Sequence, residues 1–247
     1  AVQLFEKLLA DAQVNKEAYT NMTSDILKAR SDAKLNQGQN FSRLMSFAMY
    51  GPKSPATNLL TEAELTNMNP QELVDRIHNQ NSYKHRILYY GPSSSKDLLA
   101  TINQYHQVPA ALKDIPAGNE YSYLETPVTK VLVAPYDAKQ IYMAQISNLD
   151  KKYDPAIEPI RALYDEYFGG GMNSIVFQEM RETRGLAYSA WASIMPPSYL
   201  KYPYVLRTQI ATQNDKMIDA VTTFNDIINN MPESEAAFKL AKDGLTN

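Results

Sequence analysis

Three observations predict an α+β fold. Residues 1–107 carry apolar side chains at helical spacing. From Tyr121 onward the composition shifts to strand-like runs punctuated by Pro127 and Pro135. Third, the run Gly169 to Trp191, GGGMNSIVFQEMRETRGLAYSAW, joins a glycine turn, a short helix, a second glycine break and an aromatic strand. Helices beside a meander-like set of strands, not strands alternating one by one with helices, is the α+β pattern.

Taken in order, Leu4, Leu8 and Leu9 open a first helix. Lys16 to Asp32 form a second, with Tyr19, Met22, Ile26 and Ala29 on one face. A third runs from Phe41 to Tyr50 and stops at Gly51-Pro52. Thr61 with Glu64 reads as a capping box, and Asn69-Pro70-Gln71-Glu72 as another, with proline at the first helical position. His85 to Tyr90 reads as a strand ended by Gly91-Pro92, and Ser94 with Asp97 starts a helix to about Gln107. Val108 to Glu120, with Pro109, Pro116 and Gly118, is the best linker. Tyr121–Thr126, Lys130–Ala134 and Gln140–Asn148 are β-like, and Asp154-Pro155 opens a helix to Phe168. Beyond the glycine run come strands Leu186–Met195 and Pro203–Ala211, then a helix over 214–230 with Met217, Val221, Phe224 and Ile228 on a core-facing stripe. A last helix starts near Glu233.

The chain of 247 residues suits one large domain or two smaller ones. Its 24 basic and 27 acidic residues nearly balance, which argues against a nucleic-acid footprint. No run is long enough for a membrane span, so a soluble chain is expected, with the compartment open between cytoplasm and bacterial periplasm. Without cysteine there are no disulfides or thiolate ligands. The histidines, His78, His85 and His106, have no partner at metal-ligand spacing, so no metal site is expected in this chain. The chain starts within one helical pattern and ends within another, and so reads as a piece of a longer protein.

The glycine run concentrates the candidate chemistry. Gly169, Gly170 and Gly171 permit positive φ and close backbone approach. Asn173 or Ser174 caps the helix that follows, and Val176, Phe177 and Met180 form its apolar face. Gly185 suits the left-handed residue after a helix, with Arg181 and Arg184 in the last turn. A bend at Gly185 would bring Arg181, at a helix end, beside Tyr188, at a strand start. Spacing alone favours a plainer reading: a solvated arginine paired with Glu179 or Glu182, and a packing tyrosine. The run lacks the Lys-Ser/Thr of a P-loop and the spaced glycines of a dinucleotide fingerprint.

A weak repeat places NKEAYTNMTSDIL near the start and SEAAFKLAKDGL near the end, with Ala18-Tyr19 and Ala237-Phe238 219 residues apart. It suggests a tandem domain of about that length, with residues 1–117 as the back half of one copy and 118–247 as the front half of the next. The halves would fold separately, pair like a circular permutant, or swap between chains into a homodimer.

The run GGGMNSIVFQEMRETRGLAYSAW resembles the signature of the carboxyl-side repeats of the insulinase/pitrilysin zinc metallopeptidases. It shares the Gly-Gly turn, Phe-Gln-Glu-Met-Arg and Arg-Gly-Leu-Ala-Tyr, with Arg181 and Tyr188 seven apart. MNPQELVDRIHNQNSYKHRILYYGP resembles the helix and final strand that close such a domain. The resemblance implies a clam-shell of α+β domains, each an antiparallel or mixed sheet packed against helices. It implies Zn2+ bound by an inverted His-x-x-Glu-His motif and a distal Glu in the amino-terminal domain, outside this chain. This segment would then be inactive alone. It would complete the site with Arg181 on a substrate carbonyl and Tyr188 on the developing oxyanion, and with Gly169, Gly170 and Gly171 as substrate-binding positions. The implied partners are a peptide substrate, captured as an added strand at a sheet edge that the sequence does not identify, and the zinc-bearing half of the same protein or of a partner subunit. A non-catalytic homologue serving as scaffold is the alternative.

Overall fold

A computed structural model describes residues 2–246. Six helices come first: α1 (Val2–Ala10), α2 (Lys16–Ala33), α3 (Gln37–Tyr50), α4 (Glu62–Asn67), α5 (Gln71–Asn79) and α6 (Ser95–Tyr105). The described residues divide into two units. One comprises the chain up to Asp32 with Leu59–Glu120, the other Ala33–Asn58 with everything from Tyr121.

The first unit is helical. Helix α4 opens on the expected capping box: Thr61 Oγ1 accepts from Glu64 N–H at 3.2 Å, and the Glu64 carboxylate accepts from Thr61 N–H at 2.7 Å. At α5 the expected box does not form. Pro70 is already in helical conformation, and Asn69 Oδ1 instead accepts from Gln71 N–H at 3.1 Å. Ser94 caps α6 by accepting from Asp97 N–H. Glu6 of α1 holds Asn81 at 3.0 Å and His106 Nδ1 at 2.8 Å, and the other ring nitrogen of His106 meets His85 Nε2 at 2.8 Å. His85–Tyr90 is not the strand expected there. Among the described residues only one bridge, Tyr83 with Lys113, forms beside it, and Leu88 and Tyr90 are fully exposed. Apolar, β-branched sequence becomes a strand only where a neighbour takes its N–H and C=O groups, and among the described residues none lies alongside.

The second unit is built on an antiparallel sheet in the order β1 (Gln140–Lys152), β3 (Pro203–Gln213), β2 (Ser189–Met195). Met143, Ile210 and Ala190 lie in one register row and Gln145, Thr208 and Ala192 in the next. That face meets α7 (Glu158–Phe168), the short helix α8 (Ile175–Phe177) and α9 (Met217–Asn229). The core between them joins Phe168, Val176, Met180, Ala192, Ile210, Ala220 and Phe224, all essentially buried. Of the stripe expected on α9, Phe224 is in the core, Val221 and Ile228 pack at its border, and Met217 is exposed. The final helix, α10 (Glu235–Thr246), lies against α7.

The opposite sheet face is covered in part by α3, whose Phe41 meets Tyr142 edge-on at 5.6 Å. Tyr121–Thr126 is not a strand. It lies against α3 through Leu124 N–H to Met49 C=O at 2.7 Å and through the rings of Tyr121 and Tyr123 on Tyr50. Lys130–Ala134 is also irregular, with Val131 and Val133 in solvent. Both segments adjoin the prolines at 127 and 135, and neither finds a ladder partner among the described residues.

Candidate functional site

The glycine run builds one corner of the second unit. Phe168 ends α7, and Gly169 then presses against β2: a Cβ at Gly169 would lie 2.3 Å from Ala192 O and 2.4 Å from Ala192 N. None of the three glycines has positive φ, contrary to expectation; only close approach is used. Gly169 is buried, Gly170 exposed and Gly171 half-buried. Gly171 C=O accepts from Ser174 Oγ at 2.6 Å, and Ser174 caps α8 toward Phe177 N–H. Serine, not Asn173, is thus the cap.

After Phe177 the helix widens to i→i+5 geometry over Gln178–Thr183. Such wide turns are uncommon and recur at functional sites. Gly185, at φ 57°, reverses the chain: its N–H bonds Arg181 C=O at 3.0 Å, while Leu186 and Ala187 both donate to Met180 C=O. The left-handed residue is where the sequence places it, and strand β2 then starts at Ser189, immediately after Tyr188.

The bend brings the two candidate side chains together. The Arg181 guanidinium lies 5.6 Å from the ring centre of Tyr188 and 5.0 Å from that of Phe177. Stacking of this kind contributes roughly 0.5–1 kcal/mol per ring at exposed sites. Arg181 also approaches Glu182 at 3.6 Å, and Arg184 pairs with Glu179 at 3.3 Å. Tyr188 is 70 % exposed, and its hydroxyl has no hydrogen-bond partner among the described residues. Phe177 was legible as an apolar helix residue. Its role as a platform is signalled by its position four residues before Arg181, one helical turn away.

Behind the pair, the outer edge of β2 is occupied by its own chain. The Asp165 carboxylate accepts from Ile194 N–H at 2.8 Å and Ser193 Oγ at 3.0 Å. Arg161 bridges Asp165 at 2.7 Å and Ile194 C=O at 3.1 Å, and Gly169 C=O faces Ala192 N–H. Burial pushes the Asp165 carboxyl above its ordinary range, while the Ile194 N–H pulls it back. On the first turn of the same helix, the Tyr204 hydroxyl, 2.6 Å from Glu158, holds that carboxyl below its ordinary range. At residues 192–194, therefore, β2 offers no free edge to an added strand.

Among the described residues no group of three or more His, Asp or Glu side chains converges as a metal site. The two imidazoles that meet, His85 and His106, face nitrogen to nitrogen at hydrogen-bond distance. Among the described residues this pair, with no third ligand group converging on it, does not fit a zinc ion. No helix among the described residues is long and apolar enough to cross a membrane.

Comparison with known proteins places this fold. The solved structures similar to the chain include a peptidase M16 inactive domain from Pseudomonas fluorescens, at 16 % identity and TM-score 0.66, with 100 % of this chain and 60 % of that one covered. The periplasmic protease PqqL from Escherichia coli matches at 14 % identity and TM-score 0.71, with 99 % and 27 % covered. A protease from Helicobacter pylori matches at 12 % and 0.68, with 99 % and 60 % covered. The chain thus spans at most about three-fifths of these structures, and at such identities they establish the fold alone. No curated protein matches. The family model described as the peptidase M16 inactive domain matches residues 87–245, well over half of the chain, including the whole glycine-to-tyrosine corner. On that match the chain belongs to the M16 peptidase family, as a domain of its inactive type.

Proposed function

We propose that this chain is the substrate-holding, site-completing part of a zinc-dependent endopeptidase acting on peptides, with Zn2+ and its ligands outside the chain. One observation carries the reading: a guanidinium stacked on Phe177 and Tyr188 beside an exposed, unpartnered phenol. Arginine supplies a permanently charged, planar fork and tyrosine a rigid donor at the end of a ring. Held together in advance, they suit a substrate carbonyl whose oxygen gains negative charge during attack. Arg181 would hold a backbone carbonyl and Tyr188 would donate to the developing oxyanion. Exposed Gly170 and half-buried Gly171 are the glycines a peptide can reach; Gly169 is committed to β2.

The complementary half would come from the same protein or from a partner subunit. Residues 1–117 and 118–247 would be the back of one family domain and the front of the next. A swapped homodimer of this chain is a further arrangement, which sedimentation distinguishes from a monomer. A second reading, a non-catalytic homologue serving as scaffold, draws on the inactive description of the matched domain. The exposed pair favours the first reading, because a scaffold has no use for oxyanion donors. The test is peptide turnover by the zinc-bearing parent protein carrying Tyr188→Phe or Arg181→Ala. Each should lower turnover roughly 10²–10³-fold with zinc content unchanged. Unchanged turnover in both variants would remove the proposed role.

A further inference from the structure

We infer that Arg207 and Trp191 form a recognition floor for an acidic side chain of a bound peptide, a feature that rests on the peptide-binding reading above. The sheet face turned away from the core carries Ser189, Trp191 and Ser193 of β2 beside Arg207 and Gln209 of β3, in register. The helices that lie against β2, α7 and α8, belong to its core face and edge. On the opposite face α3 and Leu124–Thr126 cover the β1 side, at Tyr142 and Asn148, while Trp191 and Arg207 stay part-exposed and Ser189 exposed. The Arg207 guanidinium sits 5.1 Å from the Trp191 ring centre. Its other polar contact is weak: Nη2 to Gln209 Oε1 at 3.4 Å.

Arg207 has no carboxylate partner among the described residues. Arg161, Arg181 and Arg184 each have one. Its Nε is buried without any hydrogen-bond partner, and on the same face Asn148 Oδ1 is buried without a donor. Among the described residues no acid of the three strands pairs with Arg207; Asp150 of β1 lies beyond Asn148, where the β1–β3 register is interrupted, and forms no ion pair with it. Asp165, at the β2 edge, is committed to Arg161, Ser193 and Ile194. A partly desolvated arginine with an idle donor is the arrangement that a carboxylate completes, because a fork-to-carboxylate pair supplies both charge and direction. Burial lowers the affinity of Arg207 for its proton, and the nearby Tyr123 phenol offsets part of that effect. Strand addition at residues 192–194 is closed by α7, so a peptide crossing here meets side chains, not a ladder.

Trp191 is the sole tryptophan and makes the floor readable. The experiment titrates this chain with short peptides, acetylated and C-terminally amidated, that differ by one Glu or Gln, and follows Trp191 emission. The Glu peptide should perturb Trp191 and bind roughly tenfold or more tightly than the Gln peptide at low salt. Arg207→Gln should abolish the difference, and Arg207→Lys should restore part of it. The comparison in the unmodified chain decides the matter even if a variant folds poorly. Equal binding of the two peptides overturns the floor and leaves peptide binding standing. Failure of every peptide to bind overturns both.

Discussion

Replacing Gly169 by alanine tests the corner that carries the candidate pair. The added Cβ would stand 2.3, 2.4 and 2.8 Å from the oxygen, nitrogen and Cα of Ala192, all backbone atoms of a fully buried strand residue. Relief to ordinary contact requires the end of α7 or strand β2 to retreat by about 1 Å. Such a retreat breaks the facing of Ala192 N–H and Gly169 C=O and stretches the Asp165 bond to Ile194 N–H, one turn earlier. Overpacking costs about 1–3 kcal/mol, and a half-buried carboxylate losing a donor adds about as much again. A total of about 3 kcal/mol corresponds to a fall in Tm of roughly 6–12 °C for a chain of this size. Thermal unfolding followed by Trp191 emission reports on the second unit, where the change lies. Gly171→Ala is the control. Its Cβ would meet only the flexible Glu166 carboxylate at 3.3 Å, so its cost should stay within roughly 0.5 kcal/mol. Equal Tm for the two variants would refute the packing argument.

Two further outcomes follow from the same corner. Gly185→Ala should cost about 1–2 kcal/mol in urea unfolding, from the left-handed φ alone, because a Cβ there meets nothing within 4 Å; Gly185→Asn should cost less. Glu158 has a lowered carboxyl pKa, chiefly through the Tyr204 hydroxyl, so its stabilisation is present above the unfolded glutamate pKa and is lost as pH falls through the folded value. Tyr204→Phe should therefore flatten the acid limb of a stability–pH profile, whereas Asp165, raised by burial, contributes the opposite slope; an unchanged acid limb in Tyr204→Phe would contradict the assignment.

The sequence was most legible where local chemistry suffices. Thr61 with Glu64 and Ser94 with Asp97 announce helix starts because a side chain three residues away closes the cap. Gly185 announces its bend because few other residues hold that φ without strain. Legibility failed where structure depends on a distant partner. His85–Tyr90, Tyr121–Thr126 and Lys130–Ala134 have strand composition, but a strand exists only in a ladder, and composition does not name the neighbour. At the site, the meeting of Arg181 and Tyr188 could be read from the bend. The wide turn over Gln178–Thr183 could not, because apolar spacing does not distinguish it from an ordinary helix. Arg207 reads in the sequence as one more charge in a strand; its significance comes from a buried, unpartnered Nε and from the absence of an ion-pair partner among the described residues.

In the proposed role Tyr188 acts on the transition state and not on the resting substrate. Steady-state kinetics of Tyr188→Phe in the zinc-bearing parent protein separates the two. In that role kcat and kcat/KM fall together, roughly 10²–10³-fold, with KM nearly unchanged. A raised KM with unchanged kcat would make Tyr188 an ordinary binding contact and contradict that role.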